Sequence, residues 1–132
     1  MTEFLLLGCV GVGLEVVFTC LSEPDVRDGW RLKGQSYVWM FPIYGLTVPF
    51  FKFLDPRFGA WPWLARAPLY VLILYVMEYL TGWLLRRGTG RCPWDYGAAR
   101  WAIHGLIRLD YFPGWLVAVT IFEAVCRRLG VV

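Results

Sequence analysis

The sequence predicts an all-α integral membrane protein with four transmembrane helices and one amphipathic interfacial helix between the third and the fourth. Hydrophobic residues make up 58% of the 132 residues, against roughly 45–50% in soluble domains. So short a chain leaves much of its surface exposed and cannot bury this excess in water. The eight Trp and seven Tyr are residues that collect at membrane interfaces. Lipid is therefore the solvent that fits the composition.

Four apolar runs are close to the roughly 17–25 residues that a spanning helix needs. The second run is interrupted by Pro42 and Pro49, and Arg127 and Arg128 close the fourth. No basic n-region precedes the first run, so we expect it to stay in the protein. We take residues 1–132 as a single transmembrane domain, and its predicted spans are residues 4–21, 37–54, 67–85 and 111–126.

The interfacial helix is predicted from the pattern of residues 96–109. Asp95 is placed as its N-cap, and Ala and Ile or Leu side chains recur on one face. Arg100, His104 and Arg108 recur every fourth residue on the other face. Guanidinium groups there could contact anionic head groups or another anion, and a solvated polar face is the alternative.

Two pairs of short matches suggest an internal repeat of two halves, and a chance coincidence is the alternative. Glu15 precedes the pair Phe41-Pro42, and Glu78 precedes Phe112-Pro113. Two halves of two helices each would be related by an axis along the membrane normal, as in parallel-repeat transporters.

Three glutamates lie inside predicted spans, and two of them, Glu15 and Glu78, lie away from the span ends. A carboxylate at the centre of a span costs about 2.5–3.5 kcal/mol on insertion scales. Glu78 shares a helical stripe with Tyr75, and Glu15 lies on one face with Gly8 and Gly11. We predict that the two carboxylates converge in one polar cavity and bind a cation or proton. The alternative is structural, with each glutamate hydrogen-bonded inside the bundle.

Weaker candidates complete the predicted ion or substrate site. Glu123 lies four residues before Arg127 and could simply form a pair with it. Tyr44 follows Pro42, whose kink frees backbone carbonyls. Asp95 follows the third span. The glycine face of the first helix also suggests a seam between copies, so we expect a homo-oligomer.

Other functional classes find little support in the sequence. There is no phosphate-binding Gly-x-x-x-x-Gly-Lys-Ser/Thr loop, so the chain has no ATPase motif of its own. No Lys/Arg block suggests nucleic acid, and the four cysteines have no zinc or disulfide-framework spacing. We expect no cofactor and no metal. The expected partners are membrane lipids and further copies, in a plasma or inner membrane.

Four strings carry a family resemblance. They are Glu15-Val16-Val17-Phe18-Thr19, Trp39-Met40-Phe41-Pro42-Ile43-Tyr44-Gly45, Glu78-Tyr79-Leu80-Thr81-Gly82 and Cys92-Pro93-Trp94-Asp95-Tyr96. With them the chain resembles the ABC-transporter type IV, CmpB-like membrane proteins, which include the animal transmembrane protein 229 pair. The resemblance implies a multi-pass helical protein, and it sharpens the fold more than the function.

Two functions follow as hypotheses. The first is a transporter- or channel-like protein whose intramembrane glutamates bind a cation or proton. The second is a lipid-binding or membrane-organising protein that contacts anionic head groups. No catalytic constellation is visible, so an enzyme is not favoured.

Overall fold

The computed structural model describes residues 1–23, 29–97 and 99–132. In these ranges the chain is mostly helical, with one short hairpin and two single 3-10 turns, Gly29–Arg31 and Leu109–Tyr111. The elements in chain order are α1 (Thr2–Ser22), α2 (Met40–Gly45), α3 (Thr47–Phe58), α4 (Trp63–Thr89), β1 (Ala102–Ile103), β2 (Ile107–Arg108) and α5 (Phe112–Arg128).

Three helical segments are long and apolar enough to cross a bilayer: Thr2–Ser22, Trp63–Thr89 and Leu109–Arg128. They overlap the first, third and fourth predicted spans and support the prediction of a membrane protein. The third is longer than predicted, because it begins directly after Pro62 and ends only at Gly90, which has φ 77°. A glycine in this left-handed conformation is a common helix terminator.

The second predicted span, residues 37–54, is not one helix. It forms α2 and α3, which meet at Leu46 with ψ −7°. Pro49 follows in the first turn of α3 and has no N–H to donate to the carbonyl of Gly45, so the helical ladder is interrupted there. Neither helix is among the described segments that could cross a bilayer alone.

The predicted interfacial helix over residues 96–109 is wrong. The described part of this stretch forms an antiparallel hairpin that pairs Ala102 with Arg108 and Ile103 with Ile107. At its turn, the amide of Leu106 donates to the carbonyl of Ile103 at 3.0 Å. His104 and Gly105 have φ 53° and 69°. Two successive left-handed residues favour a hairpin turn and cannot continue an α-helix.

The chain divides into two compact units. The first unit consists of residues 1–60 and 120–132, and the second of residues 61–119, so α5 contributes to both. The prediction of a single domain is not tested by this division.

In the first unit, α1 packs on α2 through its glycine face. A methyl group on Gly8 would lie 2.9 Å from the ring and the carbonyl of Phe41, and one on Gly11 would overlap the ring of Tyr44. Tyr44 in turn stacks on Phe122 of α5, with ring centroids 5.9 Å apart. The predicted intermolecular seam at Gly8 and Gly11 is therefore occupied by α2 of the same chain.

In the second unit, the hairpin packs on α4. Leu106 is fully buried, and its side chain lies against Gly82, where an added methyl group would be 2.9 Å away. Trp94 is buried at the same place. The absence of a side chain at Gly82 thus allows the hairpin to lie directly on the helix.

Candidate functional site

The Glu15 carboxylate is held by hydroxyl groups. Ser36 donates its Oγ–H to Oε2 of Glu15 at 2.7 Å, and the hydroxyl of Tyr44 is a second hydrogen-bond partner. Glu15 belongs to α1, Tyr44 to α2, and Ser36 to residues 32–37, which have no regular secondary structure. Three different segments of the first unit thus meet at this carboxylate.

Close backbone contact explains why the irregular segment lies against α1. A side chain on Gly34 would collide with the carbonyl of Val16, so only glycine fits at this position. The Thr19 hydroxyl also holds this segment to α1. It donates to the carbonyl of Gln35 and accepts from the backbone amide of Gln35, each at 2.9 Å. We call residues 32–39 the first cover segment, because Gly34, Gln35 and Ser36 within it contact α1 at and beside Glu15.

The Glu78 carboxylate also accepts a hydroxyl from the segment that follows its helix. The hydroxyl of Tyr96 donates to Oε1 of Glu78 at 3.0 Å. Tyr75 is predicted to share a helical stripe with Glu78. Its hydroxyl, however, donates to the carbonyl of Arg108 at 3.1 Å. We call residues 91–108 the second cover segment, described here without residue 98.

The Cys92-Pro93-Trp94-Asp95-Tyr96 string, together with Arg86 of α4, holds the hairpin turn. Three consecutive turn carbonyls each accept a hydrogen bond. Arg86 donates to the carbonyl of His104 at 2.9 Å. The Tyr96 amide donates to that of Gly105 at 2.9 Å, and the Trp94 indole to that of Leu106 at 3.0 Å. The same string therefore fixes the turn and places the Tyr96 hydroxyl at Glu78.

Asp95 is a turn residue and not a helix N-cap. Its Oδ1 accepts the amide of Gly97 at 2.9 Å and lies against Gly105. A helix does not follow it, so the predicted cap is wrong, whereas its predicted role as a ligand is not tested. Nearby, burial raises the pKa of the Cys92 thiol above its ordinary value.

Glu123 is paired with Arg127, as the structural alternative expected. The guanidinium Nε of Arg127 donates to Glu123 at 3.0 Å, and its Nη2 donates to Asp55 of α3 at 2.6 Å. Asp55 was missed because it is 72 residues away in sequence. In the sequence, this pair is indicated only by an acidic residue near the end of one apolar run and a basic residue near the end of another.

Arg100, His104 and Arg108 do not form a stripe on a helix. Arg108 donates to both carboxylate oxygens of Asp110 and to the Tyr111 hydroxyl. His104 Nδ1 is 2.8 Å from the hydroxyl of Tyr79. The guanidinium of Arg100 lies over the ring of Trp101, 5.6 Å from its centroid. Contact with lipid head groups stays a prediction for all three.

The predicted convergence of Glu15 and Glu78 also stays a prediction, since the two residues belong to different units. Within the described residues, no group of three His, Cys, Asp or Glu side chains is arranged to hold a metal ion.

Comparison with known families matches residues 2–130 to the family described as "Putative ABC-transporter type IV". The chain belongs to this family. The resemblance carried by the four strings is thus confirmed, and the strings provide the two covered carboxylates of this CmpB-type protein. Two of them carry Glu15 and Glu78, and the other two carry Tyr44 and Tyr96. No solved structure matches the chain.

Proposed function

We propose that this CmpB-type protein is a multi-pass, transporter- or channel-like membrane protein in which Glu15 and Glu78 bind a cation or proton. The family name supports a transport-related role. The observation that carries the proposal is the covering of both carboxylates. Each lies on a long apolar helix and accepts a hydroxyl from the segment after that helix.

A hydroxyl donor does not neutralise a carboxylate. A negative charge inside a membrane span is costly unless a positive charge, a proton or water compensates it. Ser36 and Tyr44 at Glu15, and Tyr96 at Glu78, are neutral hydroxyl donors. A proton or a bound cation on the carboxylate would lower this cost, and its reversible binding is what a transporter requires.

The proposal takes α2 and α3 together as a fourth crossing. Residues 40–58 as two consecutive helices would extend about 28 Å at 1.5 Å per residue, close to the roughly 30 Å hydrocarbon thickness. α2 is packed against α1 through Gly8 and Gly11. Interrupted helices beside intramembrane carboxylates are the usual place for ion sites in transporters.

The test is flux in liposomes loaded with a pH-sensitive dye and exposed to gradients of protons and of alkali cations. Glu15→Gln and Glu78→Gln are each expected to lower the flux at least tenfold, because each loses a titratable, ion-binding carboxylate. Glu3→Gln, at the exposed start of α1, is the matched control and should leave the flux unchanged. Wild-type flux in both glutamine variants would refute the proposal.

A lipid-binding role is the second candidate, and the exposed Arg100–Trp101 pair favours it. An aromatic ring and a guanidinium at one place suit an anionic membrane interface. Flotation with anionic and with neutral vesicles tests it, and equal flotation would contradict it.

A homo-oligomer is proposed as well, with its interface away from Gly8 and Gly11.

A further inference from the structure

We infer that Glu15, Ser36 and Tyr44 form a binding site for one monovalent metal cation of the sodium type. This inference rests on the proposed function and narrows it for the first unit. It names the ion class, and it assigns the irregular cover segment a role in coordination.

The donor atoms select the class of ion. The groups that meet at Glu15 are one carboxylate and two hydroxyls, all of them oxygen donors. Hard cations prefer oxygen, whereas transition metals prefer the nitrogen and sulfur donors of His and Cys. Ser36 can serve either state, since a hydroxyl donates to the carboxylate in the empty site and presents its lone pairs to an ion after rotation.

Charge selects a monovalent ion. Among the residues that the structure describes, Glu15 forms no salt bridge, and its hydrogen-bond partners are neutral hydroxyls. One monovalent cation would therefore neutralise the single negative charge of this carboxylate. Calcium and magnesium sites generally use several carboxylates or waters in addition, and a single negative charge would leave a divalent ion uncompensated in an apolar setting.

The backbone at the site favours a metal ion over a proton. Residues 32–37 are irregular, yet the Thr19–Gln35 hydrogen bonds and the contact of Gly34 with Val16 hold them on the C-terminal turns of α1. At membrane depth, irregular backbone is found where it is buried in protein or lines a polar cavity. A proton needs a single acceptor, whereas a metal ion needs several oxygens, and Ser36 of this segment adds a third oxygen donor to those of Glu15 and Tyr44.

The experiment measures thermal unfolding of the purified full-length chain against sodium concentration, with choline chloride holding the ionic strength constant. A ligand that binds only the folded state raises the midpoint in a saturable way. The wild type should show this rise. Ser36→Ala should weaken the apparent affinity about tenfold, and Glu15→Gln should abolish the response.

Matched controls lie on the same helix. Ser22→Ala removes a hydroxyl that donates to the Phe18 carbonyl one turn earlier in α1, and Glu3→Gln removes an exposed carboxylate. Both should respond to sodium as the wild type does. If Glu15→Gln does not fold, Ser36→Ala and Ser22→Ala alone decide the matter.

Three results would overturn the site: a midpoint that depends on pH but not on sodium, an equal sodium response in Glu15→Gln, or a stronger response to calcium or magnesium. The proposed function fails separately. Glutamate-dependent flux without sodium binding would refute only this site, and sodium binding without any flux would refute transport while leaving the site in place.

Discussion

The first cover segment is irregular backbone held to α1 by close packing at Gly34 and by the Thr19 hydroxyl. The second contains a hairpin that Arg86 of α4 holds to that helix, while Trp94 bonds to the hairpin from within the same segment. Both bring one hydroxyl to a glutamate of the preceding helix, Ser36 in the first unit and Tyr96 in the second. The two cover segments therefore differ in structure, although each supplies a hydroxyl to a carboxylate. The internal repeat and the axis that would relate the two halves stay predictions.

Because of this contrast, the two units should differ in how much stability they lose when a packed glycine is substituted. The first unit is packed through contacts between helix backbone and rigid groups, such as Gly11 against Tyr44 and Gly34 against Val16. In the second unit, Gly82 faces the ends of side chains, Leu106 and Trp94. Side-chain ends can shift by rotation, whereas a backbone carbonyl or the root of a buried ring cannot.

The largest expected effect is that of Gly11→Ala. Its methyl group would overlap Cβ and Cγ of Tyr44, so α1 and α2 must separate, and we expect a loss of more than about 3 kcal/mol in the free energy of unfolding. Chemical unfolding in detergent micelles measures it.

Gly13→Ala is the control, because nothing lies within 4 Å of the added methyl group. It should be neutral or slightly stabilising. Gly82→Ala should cost about 1 kcal/mol, since only side-chain ends must move. Equal losses in the free energy of unfolding for Gly11→Ala and Gly82→Ala would contradict the difference in packing between the two units.

A smaller effect is expected from Trp94→Phe. The variant keeps an aromatic ring but loses the indole N–H, which leaves the buried carbonyl of Leu106 without its donor. We expect a loss of about 1–2 kcal/mol, since an unsatisfied buried acceptor costs about 1–3 kcal/mol. Unfolding monitored by circular dichroism tests this, and hydrogen exchange at residues 102–108 should rise.

Thr19→Val is the corresponding change in the first unit, where it removes both hydrogen bonds to Gln35. Its increase in exchange should be confined to residues 32–39. A variant that loosens the other cover segment instead would show that the two covers do not act separately.

The smallest effect is expected from His104→Asn. Asparagine adopts the left-handed conformation at φ 53° more readily than histidine, but it loses the contact of His104 with the Tyr79 hydroxyl. These two effects oppose each other, so the change in stability should stay within about 0.5 kcal/mol. A loss above about 1.5 kcal/mol would mean that the Tyr79 contact dominates the turn.

The length and apolar composition of the runs were sufficient to predict the long helices, because a helix in lipid needs a long apolar run. Helical periodicity failed for residues 96–109, where His104 and Gly105 decide the structure through backbone angles that a pattern of side chains does not record. The interruption of the second run was visible in Pro42 and Pro49, although its position at Leu46 was not.

For the candidate site, the sequence predicted both glutamates and Tyr44 as ligands, which stays a prediction, and it did not predict that Ser36 and Tyr96 contact the two carboxylates. Ser36 and Tyr96 acquire their roles only when the following segment folds back on its helix. Gly34 was the available signal in the first unit, because an isolated glycine often marks close backbone approach. The partnership of Asp55 with Arg127 required contacts across 72 residues.

The glycine face of α1 also bears on how the protein is made. α2 and α3 are short, and α3 carries Lys52, Asp55 and Arg57, charges that the insertion machinery disfavours by about 2.5–3.5 kcal/mol each at the centre of a helix. Gly8 and Gly11 offer this pair a complementary surface that is already in the bilayer once α1 has been synthesised. We therefore expect α1 to act as the docking partner that retains α2 and α3 in the membrane during translation, so that bulky residues at Gly8 or Gly11 would be rejected at insertion before any folded protein exists.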